Sequence, residues 1–306
     1  MEAIKRVAVV GCGTVGASWA ALFVAHGFDV AAYDPSPDAE ARLRAFMDHA
    51  AAQLSELGVP GGGTLQVSTD LAATLQTADF VQENAPENEE LKRRLLPEIE
   101  ALTSERTIVA SSTSALLRSR IVADCKAPQR FIVAHPFNPP HLVPLVELVG
   151  EDQGVIERAA AFYRALDRRP VVLQREMVGH IANRLASALY QEAVYLVEQG
   201  VASVADIDAA LCNGPGLRWA AMGPHLTYHL GGGAGGIERY LSHWGESQTR
   251  RWASLGKPAL TPELQARIVA GVDEEARGRS IPELEARRDR ALIDILKART
   301  EVAGDS

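Results

Sequence analysis

Gly11-Cys12-Gly13-Thr14-Val15-Gly16 narrows what this chain can fold into more than any other stretch. It follows directly on the run Arg6-Val7-Ala8-Val9-Val10 and opens a helical pattern from Thr14 to His26. A glycine-rich turn recurs by accident in many chains, but strand, turn and helix in that order give the GxGxxG spacing a physical meaning. Gly11 makes the tight turn, Gly13 lets the backbone approach a pyrophosphate, and Gly16 lets the helix pack closely on the strand. The helix N-terminus at Thr14 and Val15 then faces the phosphate charge. Asp34 ends the next apolar run, where its carboxylate accepts hydrogen bonds from an adenosine ribose and repels a 2′-phosphate; Pro35-Ser36 offers no arginine to offset that repulsion. The expected cofactor is NAD rather than NADP, with FAD as the other dinucleotide the motif admits.

The first half of the chain alternates short β-branched runs with longer amphipathic segments, the pattern of βαβ units and a mostly parallel sheet. Strands are predicted at Arg6 to Val10, Asp29 to Tyr33, Phe80 to Glu83, Thr107 to Ala110, Phe131 to Ala134, Val146 to Val149 and Val171 to Leu173. Helical periodicity falls at Thr14 to His26, Ser36 to Leu57, Asn88 to Leu102 and Gln153 to Leu166, which puts helices on both faces. From Val178 to Gln199 a long helical pattern begins, Gly200 caps it, and no strand pattern follows. Ser203, Thr261-Pro262 and the Ser280/Glu283 capping box open further helices. The reading is a Rossmann-type α/β domain over residues 1–177, followed by an all-helical domain over 178–306. Gly231-Gly232-Gly233-Ala234-Gly235-Gly236 reads as a loop.

At 306 residues with 47% apolar and 23% charged side chains, the chain can bury a sizeable core in two domains. Its formal charge of -8 argues against nucleic acid and anionic membrane as partners and leaves a small molecule. No run reaches the roughly 20 apolar residues that cross a bilayer. Cys12, Cys125 and Cys212, scattered and odd in number, read as reduced thiols of a cytoplasmic protein and suggest neither a disulfide framework nor a metal site.

His135-Pro136-Phe137-Asn138-Pro139-Pro140 follows a strand, and Glu147 lies on the next one. Removing hydride from an alcohol requires a base for the hydroxyl proton, and an imidazole tuned by a carboxylate suits that task near neutral pH. Taken alone, His135 is one of 8 histidines and reads equally well as a structural side chain. Its setting decides. Together with Ser111-Ser112-Thr113-Ser114 and Gly179-His180-Ile181-Ala182-Asn183-Arg184, the sequence resembles the 3-hydroxyacyl-CoA dehydrogenase family over nearly its whole length. The resemblance implies that His135 is the general base and Glu147 orients it, that Ser114 bonds the substrate hydroxyl, and that Asn183 holds the polarised oxygen. It also implies that Glu87 and Lys92 lie beside the nicotinamide end of NAD, with Ser112 and Asn138 supporting the same site. His180 departs from the pattern, which places an apolar aromatic residue there.

Gly214-Pro215-Gly216-Leu217-Arg218-Trp219-Ala220-Ala221-Met222-Gly223-Pro224 is longer than the corresponding segment of the CoA-thioester enzymes. It is similar to the branch that oxidises free acids, which includes L-carnitine 3-dehydrogenase and L-gulonate 3-dehydrogenase (lambda-crystallin). Arg218 offers a planar two-pronged donor for a carboxylate, or else a surface ion pair. The stretch from Trp219 to Gly233 is more similar to the carnitine enzymes, and a trimethylammonium group binds over aromatic faces such as Phe137, Trp219, Tyr228, Tyr240 or Trp244. The expected activity is NAD-dependent oxidation of the 3-hydroxyl of a small free acid, L-carnitine first. Gulonate, 3-hydroxybutyryl-CoA and a crystallin-like structural or NAD-sensing role remain open at this stage. A homodimer through the helical domain is expected because that domain is small.

Overall fold

The computed structural model describes residues 4–303, with side chains through residue 299. These residues form two compact units divided between Asn183 and Arg184.

The first unit is an eight-stranded sheet: β1 (Arg6–Val10), β2 (Asp29–Tyr33), β3 (Thr64–Ser68), β4 (Phe80–Glu83), β5 (Ile108–Ser111), β6 (Phe131–Pro136), β7 (Leu145–Val149) and β8 (Arg169–Val172). Their order across the sheet is β3-β2-β1-β4-β5-β6-β7-β8. Every pairing is parallel except β6 with β7. The chain order reverses between β1 and β4, the crevice where ligands bind in open α/β sheets. Successive β1 residues point to opposite faces, and two cores follow from that alternation. Val7 and Val9 join the core under α1 (Thr14–Ala25), α2 (Ala39–Glu56) and a later helix over Gln153–Ala165, whereas Ala8 and Val10 join the core on the other side. That second core takes Leu71 and Leu75 from α3 (Leu71–Leu75), Leu96 and Ile99 from α4 (Glu89–Leu102) and Ile121 from α5 (Arg118–Ile121). The Gln153–Ala165 helix is α6; its Phe162 and Tyr163 stack among Phe23, Phe80 and Trp19.

Sequence patterning missed β3, because Thr64-Leu65-Gln66-Val67-Ser68 carries only two apolar side chains and follows three glycines. It is an edge strand held by β2 alone, where half-exposed polar residues are tolerated. The short α3 and α5 fall below the length that periodicity resolves.

The second unit contains most of α7 (Ala182–Glu198), which crosses the boundary, then α8 (Val204–Asn213), α9 (Pro215–Trp219), α10 (Pro224–Gly231), α11 (Gly236–Ser254), α12 (Pro262–Ala276) and α13 (Ile281–Ala303). Helix α7 starts later than Val178 because Gly179 and His180 both have positive φ, 76° and 51°, which an α-helix does not admit. The glycine run is also tighter than a loop: α10 runs through Gly231, a single 3-10 turn covers Gly233–Gly235, and Gly236 opens α11. The core of this unit is small. Val194, Val197 and Leu264 are buried together, with Val204, Ile207 and Ile268 against them. Among the described residues no helix is long and apolar enough to cross a membrane.

Candidate active site

The glycine turn after β1 is shaped by steric necessity. Gly11 has φ 90°, and a Cβ there would meet the Asn84 carbonyl oxygen at 2.7 Å. A Cβ on Gly16 would lie 1.9 Å from the Gly11 carbonyl oxygen, so α1 can approach the turn only with glycine there. A Cβ on Gly13 would meet nothing within 4 Å. Gly13 is the N-cap of α1 and supplies no side-chain cap, leaving the N–H groups that open the helix available to an anion. Asp34 is drawn into the same turn: its carboxylate accepts from the backbone N–H of Cys12 at 2.8 Å and of Ser36 at 3.0 Å. Open space at Gly13, the free helix N-terminus and the fixed Asp34 carboxylate fit the pyrophosphate and ribose of NAD. Cys12, within the turn, is inert as a thiolate, since burial and then the Asp34 charge push its pKa up to about 12.

His135 and Glu147 face each other across the antiparallel β6-β7 pair, in direct register. Opposed residues of such a pair carry their side chains on one face, so the pairing brings the two together. Nδ1 of His135 lies 2.9 Å from Glu147 Oε2, and both side chains are buried. The other carboxylate oxygen, Oε1, accepts from the backbone N–H of Ile181 at 2.8 Å and Ala182 at 3.0 Å, the opening of α7. Burial pushes the Glu147 pKa up, but the His135 hydrogen bond and the two backbone N–H groups outweigh it, and the carboxyl titrates below the ordinary glutamate range. With Nδ1–H donating to this carboxylate, Nε2 is left with its lone pair. The Asn183 amide nitrogen lies 3.5 Å from that Nε2. Phe137 presents its ring edge-on to His135, centroids 5.8 Å apart, and Asn138 is exposed.

His180 stacks on His135 with ring centroids 4.8 Å apart and planes 13° from parallel. His135, Glu147 and His180 thus gather three potential metal-binding side chains. Within the trio the one hydrogen bond is that of His135 Nδ1 with Glu147 Oε2, the other Glu147 oxygen is engaged by the Ile181 and Ala182 N–H groups, and His180 contributes only its stacked ring.

A second polar network underlies the ends of β4 and β5. Lys92 is buried, donating to Glu83 Oε1 at 2.6 Å and to the Ala85 carbonyl at 3.0 Å. Ser112 donates to Asn84 at 2.7 Å and accepts from Gln82 at 2.9 Å, and Gln82 accepts from the Tyr163 hydroxyl at 2.6 Å. Glu87 accepts from the Thr113 hydroxyl and from the backbone N–H of Ser114 and Ala115. Burial raises its pKa, yet these donors and the Lys92 charge carry it below the ordinary value. Ser114 is exposed. Sequence analysis took Glu83 only as the end of a strand and gave it no role in the site, although polar Gln82-Glu83 ending a central apolar strand was the available signal.

Arg218, Trp219 and Tyr228 belong to the second unit, where all three are exposed, Arg218 and Trp219 on α9 and Tyr228 on α10. Tyr228 and Tyr240 lie ring against ring, centroids 4.8 Å apart.

Residues 6–177 match the model of the NAD-binding domain of 3-hydroxyacyl-CoA dehydrogenase, and residues 179–267 match that of its C-terminal domain. The chain belongs to the 3-hydroxyacyl-CoA dehydrogenase family. It is an NAD-dependent dehydrogenase. Among curated relatives it is 46% identical to the L-carnitine dehydrogenase of Nocardiopsis dassonvillei, over 98% of this chain and 93% of that protein. It is 41% identical to the L-carnitine dehydrogenase of Pseudomonas aeruginosa, over 96% of this chain and 94% of that one. Among solved structures, the FHMPC 5-dehydrogenase described as an NAD+ dependent dismutase superposes with a TM-score of 0.85 at 28% identity, covering 97% of this chain and 99% of that one. The (S)-3-hydroxybutyryl-CoA dehydrogenase of Ralstonia eutropha gives a TM-score of 0.65 at 25% identity, over 88% of this chain and 95% of that one.

Proposed function

We propose that this family member oxidises the 3-hydroxyl of L-carnitine to the 3-oxo acid, with His135 as the base. The observation that carries the reading is the buried His135 to Glu147 pair, which leaves Nε2 unprotonated beside the Asn183 amide, within a chain 46% identical to an L-carnitine dehydrogenase over 98% of its length. Bound NAD supplies the hydride acceptor. Nε2 of His135 takes the hydroxyl proton, and the resulting imidazolium is stabilised by a carboxylate that the α7 backbone keeps ionised. The Asn183 amide and the Ser114 hydroxyl hold the substrate oxygen as it becomes a carbonyl. Gly11, Gly13, Thr14, Val15, Gly16 and Asp34 hold the adenosine and pyrophosphate. Glu87, Ser112 and Asn138 serve the nicotinamide end, with Lys92 acting through its buried pair with Glu83.

Arg218 is the candidate donor for the substrate carboxylate, Trp219 and Tyr228 are candidate aromatic faces for the trimethylammonium group, and Phe137 is a further candidate that lies edge-on to the base. On this reading residues 1–177 bind NAD and residues 178–306 bind substrate and dimerise. The dimer is supported by large apolar side chains exposed on the second unit, among them Leu185, Tyr190, Trp252, Leu255 and Ile281. A cytoplasmic location is supported by three free cysteines.

Purified protein with NAD, offered L-carnitine, gulonate, 3-hydroxybutyrate and 3-hydroxybutyryl-CoA, is expected to form NADH fastest with L-carnitine. Turnover of gulonate or the thioester with none of L-carnitine would remove the reading. His135→Ala is expected to lower turnover about 100-fold or more while leaving NAD binding nearly intact.

A further inference from the structure

His141 is a buried imidazole outside the catalytic group, 2% exposed, in the segment that leads from the end of β6 at Pro136 to the start of β7 at Leu145. Two helices grip it. Nε2 lies 2.7 Å from the Gln53 amide oxygen on α2, and Nδ1 lies 2.7 Å from the Ser18 hydroxyl on α1. An amide oxygen only accepts, so the ring hydrogen sits on Nε2 and Nδ1 receives the Ser18 O–H. The Ser18 oxygen in turn accepts the backbone N–H of His141 at 2.9 Å, which makes the pair reciprocal. Ser18 is fully buried, set among Ala17, Ala21 and Leu22, and Phe46 of α2 meets the His141 ring at a right angle, centroids 5.6 Å apart.

An alkyl side chain of like volume would bury about as stably here, since a buried hydrogen bond returns little more than its desolvation. A satisfied polar network instead fixes one geometry. That geometry sets the β6–β7 segment against α1. Helix α1 opens at Gly13, which has no side-chain cap, so its first N–H groups are offered to the pyrophosphate; the β6–β7 segment opens with Phe137 and Asn138, directly after His135 and Pro136. NAD has to meet both places at once. Arg168 braces the same segment at the Pro140 carbonyl, 2.8 Å away, but from the turn that follows α6. Resting on the reading of His135 as the base, we propose that His141 is a positioning residue that registers the base-bearing segment on the cofactor helix and so holds the nicotinamide end in place.

The test compares the wild type with His141→Leu, which keeps the volume but loses both ring bonds, and with His141→Asn, whose amide oxygen takes the place of Nδ1 and keeps the bond to Ser18. Each is titrated with NADH and with ADP-ribose, which has the pyrophosphate and adenosine but no nicotinamide. Each is also assayed for kcat with NAD and the substrate that the wild type turns over fastest. In His141→Leu the ratio of the NADH to the ADP-ribose dissociation constant is expected to rise about five-fold, with ADP-ribose binding itself within about two-fold of wild type. Its kcat falls about ten-fold, less than the roughly 10²-fold that a misplacement of about 1 Å can cost, and His141→Asn recovers most of both losses. A role in packing alone would lower the unfolding midpoint or weaken both nucleotides together. An unchanged ratio with wild-type kcat in His141→Leu overturns the proposal. Should that variant fail to fold, the smaller change Ser18→Ala decides by the same two readouts: a raised ratio with lowered kcat supports the positioning role, and wild-type values refute it. His135→Ala separates the two levels of the argument, because turnover retained there removes the reading of the base without any change at His141.

Discussion

Replacing Glu147 with glutamine tests the site at the residue on which most of its hydrogen bonds converge. The carboxylate receives three donors, His135 Nδ1–H on one oxygen and the Ile181 and Ala182 N–H groups on the other. A carboxamide has one accepting oxygen. If that oxygen stays with the α7 backbone, the NH2 group points at His135 Nδ1, which must then accept, and the ring hydrogen moves to Nε2 where the base must be bare. The charge-assisted bond to the imidazolium is lost as well, about 1.5–3 kcal/mol. With the wrong tautomer added, the deficit reaches about 4 kcal/mol, or a drop in kcat of about 10³-fold, within about ten-fold of the roughly 10⁴-fold loss seen when an amide replaces the carboxylate behind a catalytic histidine. Stability should change far less, since removing a full anion from a helix N-terminus costs about 0.3–1 kcal/mol and up to about 2 when partly buried. The assay is NADH formation with saturating NAD and substrate, alongside thermal unfolding and NAD titration. A variant that keeps more than about a tenth of wild-type turnover refutes the coupling of Glu147 to the base.

Asp34→Ala should raise kcat/KM for NADP relative to NAD, because the carboxylate that repels a 2′-phosphate is gone; a wild type that already prefers NADP would contradict the role given to Asp34. Gly13→Ala should fold with a normal unfolding midpoint but bind NAD weakly in fluorescence titration, as its new methyl projects into open space. Gly16→Ala should lose folding and binding together, with a methyl 1.9 Å from the Gly11 carbonyl oxygen; equal behaviour of the two variants would undo the distinction. Glu87 and Glu147 have lowered pKa values in the folded chain, so their stabilisation is complete above the ordinary glutamate value of 4.5 and is lost as pH falls through their folded values. The urea midpoint should accordingly decline below pH 4.5, and removing both carboxylates should flatten that decline.

The parallel sheet was legible because strands buried on both faces read as near-continuous apolar runs, and the turn at Gly11 because glycine was sterically required there. His135 and Glu147 were legible as members of motifs, but their geometry was not. Sequence patterning ended the strand at Ala134, whereas β6 continues through His135 and Pro136 and sets His135 opposite Glu147. Proline as the last strand residue, where the ladder is ending, is the reason propensity stops the strand early. The Lys92 to Glu83 pair was hidden for a different reason: no spacing rule joins a helix position to a neighbouring strand end, and an exposed lysine is the ordinary expectation. The start of α7 was misplaced because the left-handed backbone at His180 is imposed by tertiary packing and runs against the local helical periodicity.

That displaced start is what couples the site together. Had α7 begun at Val178, its first free N–H groups would fall before Ile181 and could not reach the Glu147 carboxylate that Ile181 and Ala182 hold. The two left-handed residues Gly179 and His180 delay the helix, place His180 against the base, and bring Asn183 within reach of the base nitrogen in the first turn. One carboxylate thereby joins the imidazole on β6 to the helix that carries the amide. Substitutions at Glu147 and Asn183 should for that reason be non-additive, since losing the carboxylate frees the N-terminus that positions Asn183. A double variant no slower than Glu147→Gln alone is the expected result, and strictly multiplicative losses would mean that base and amide are positioned independently.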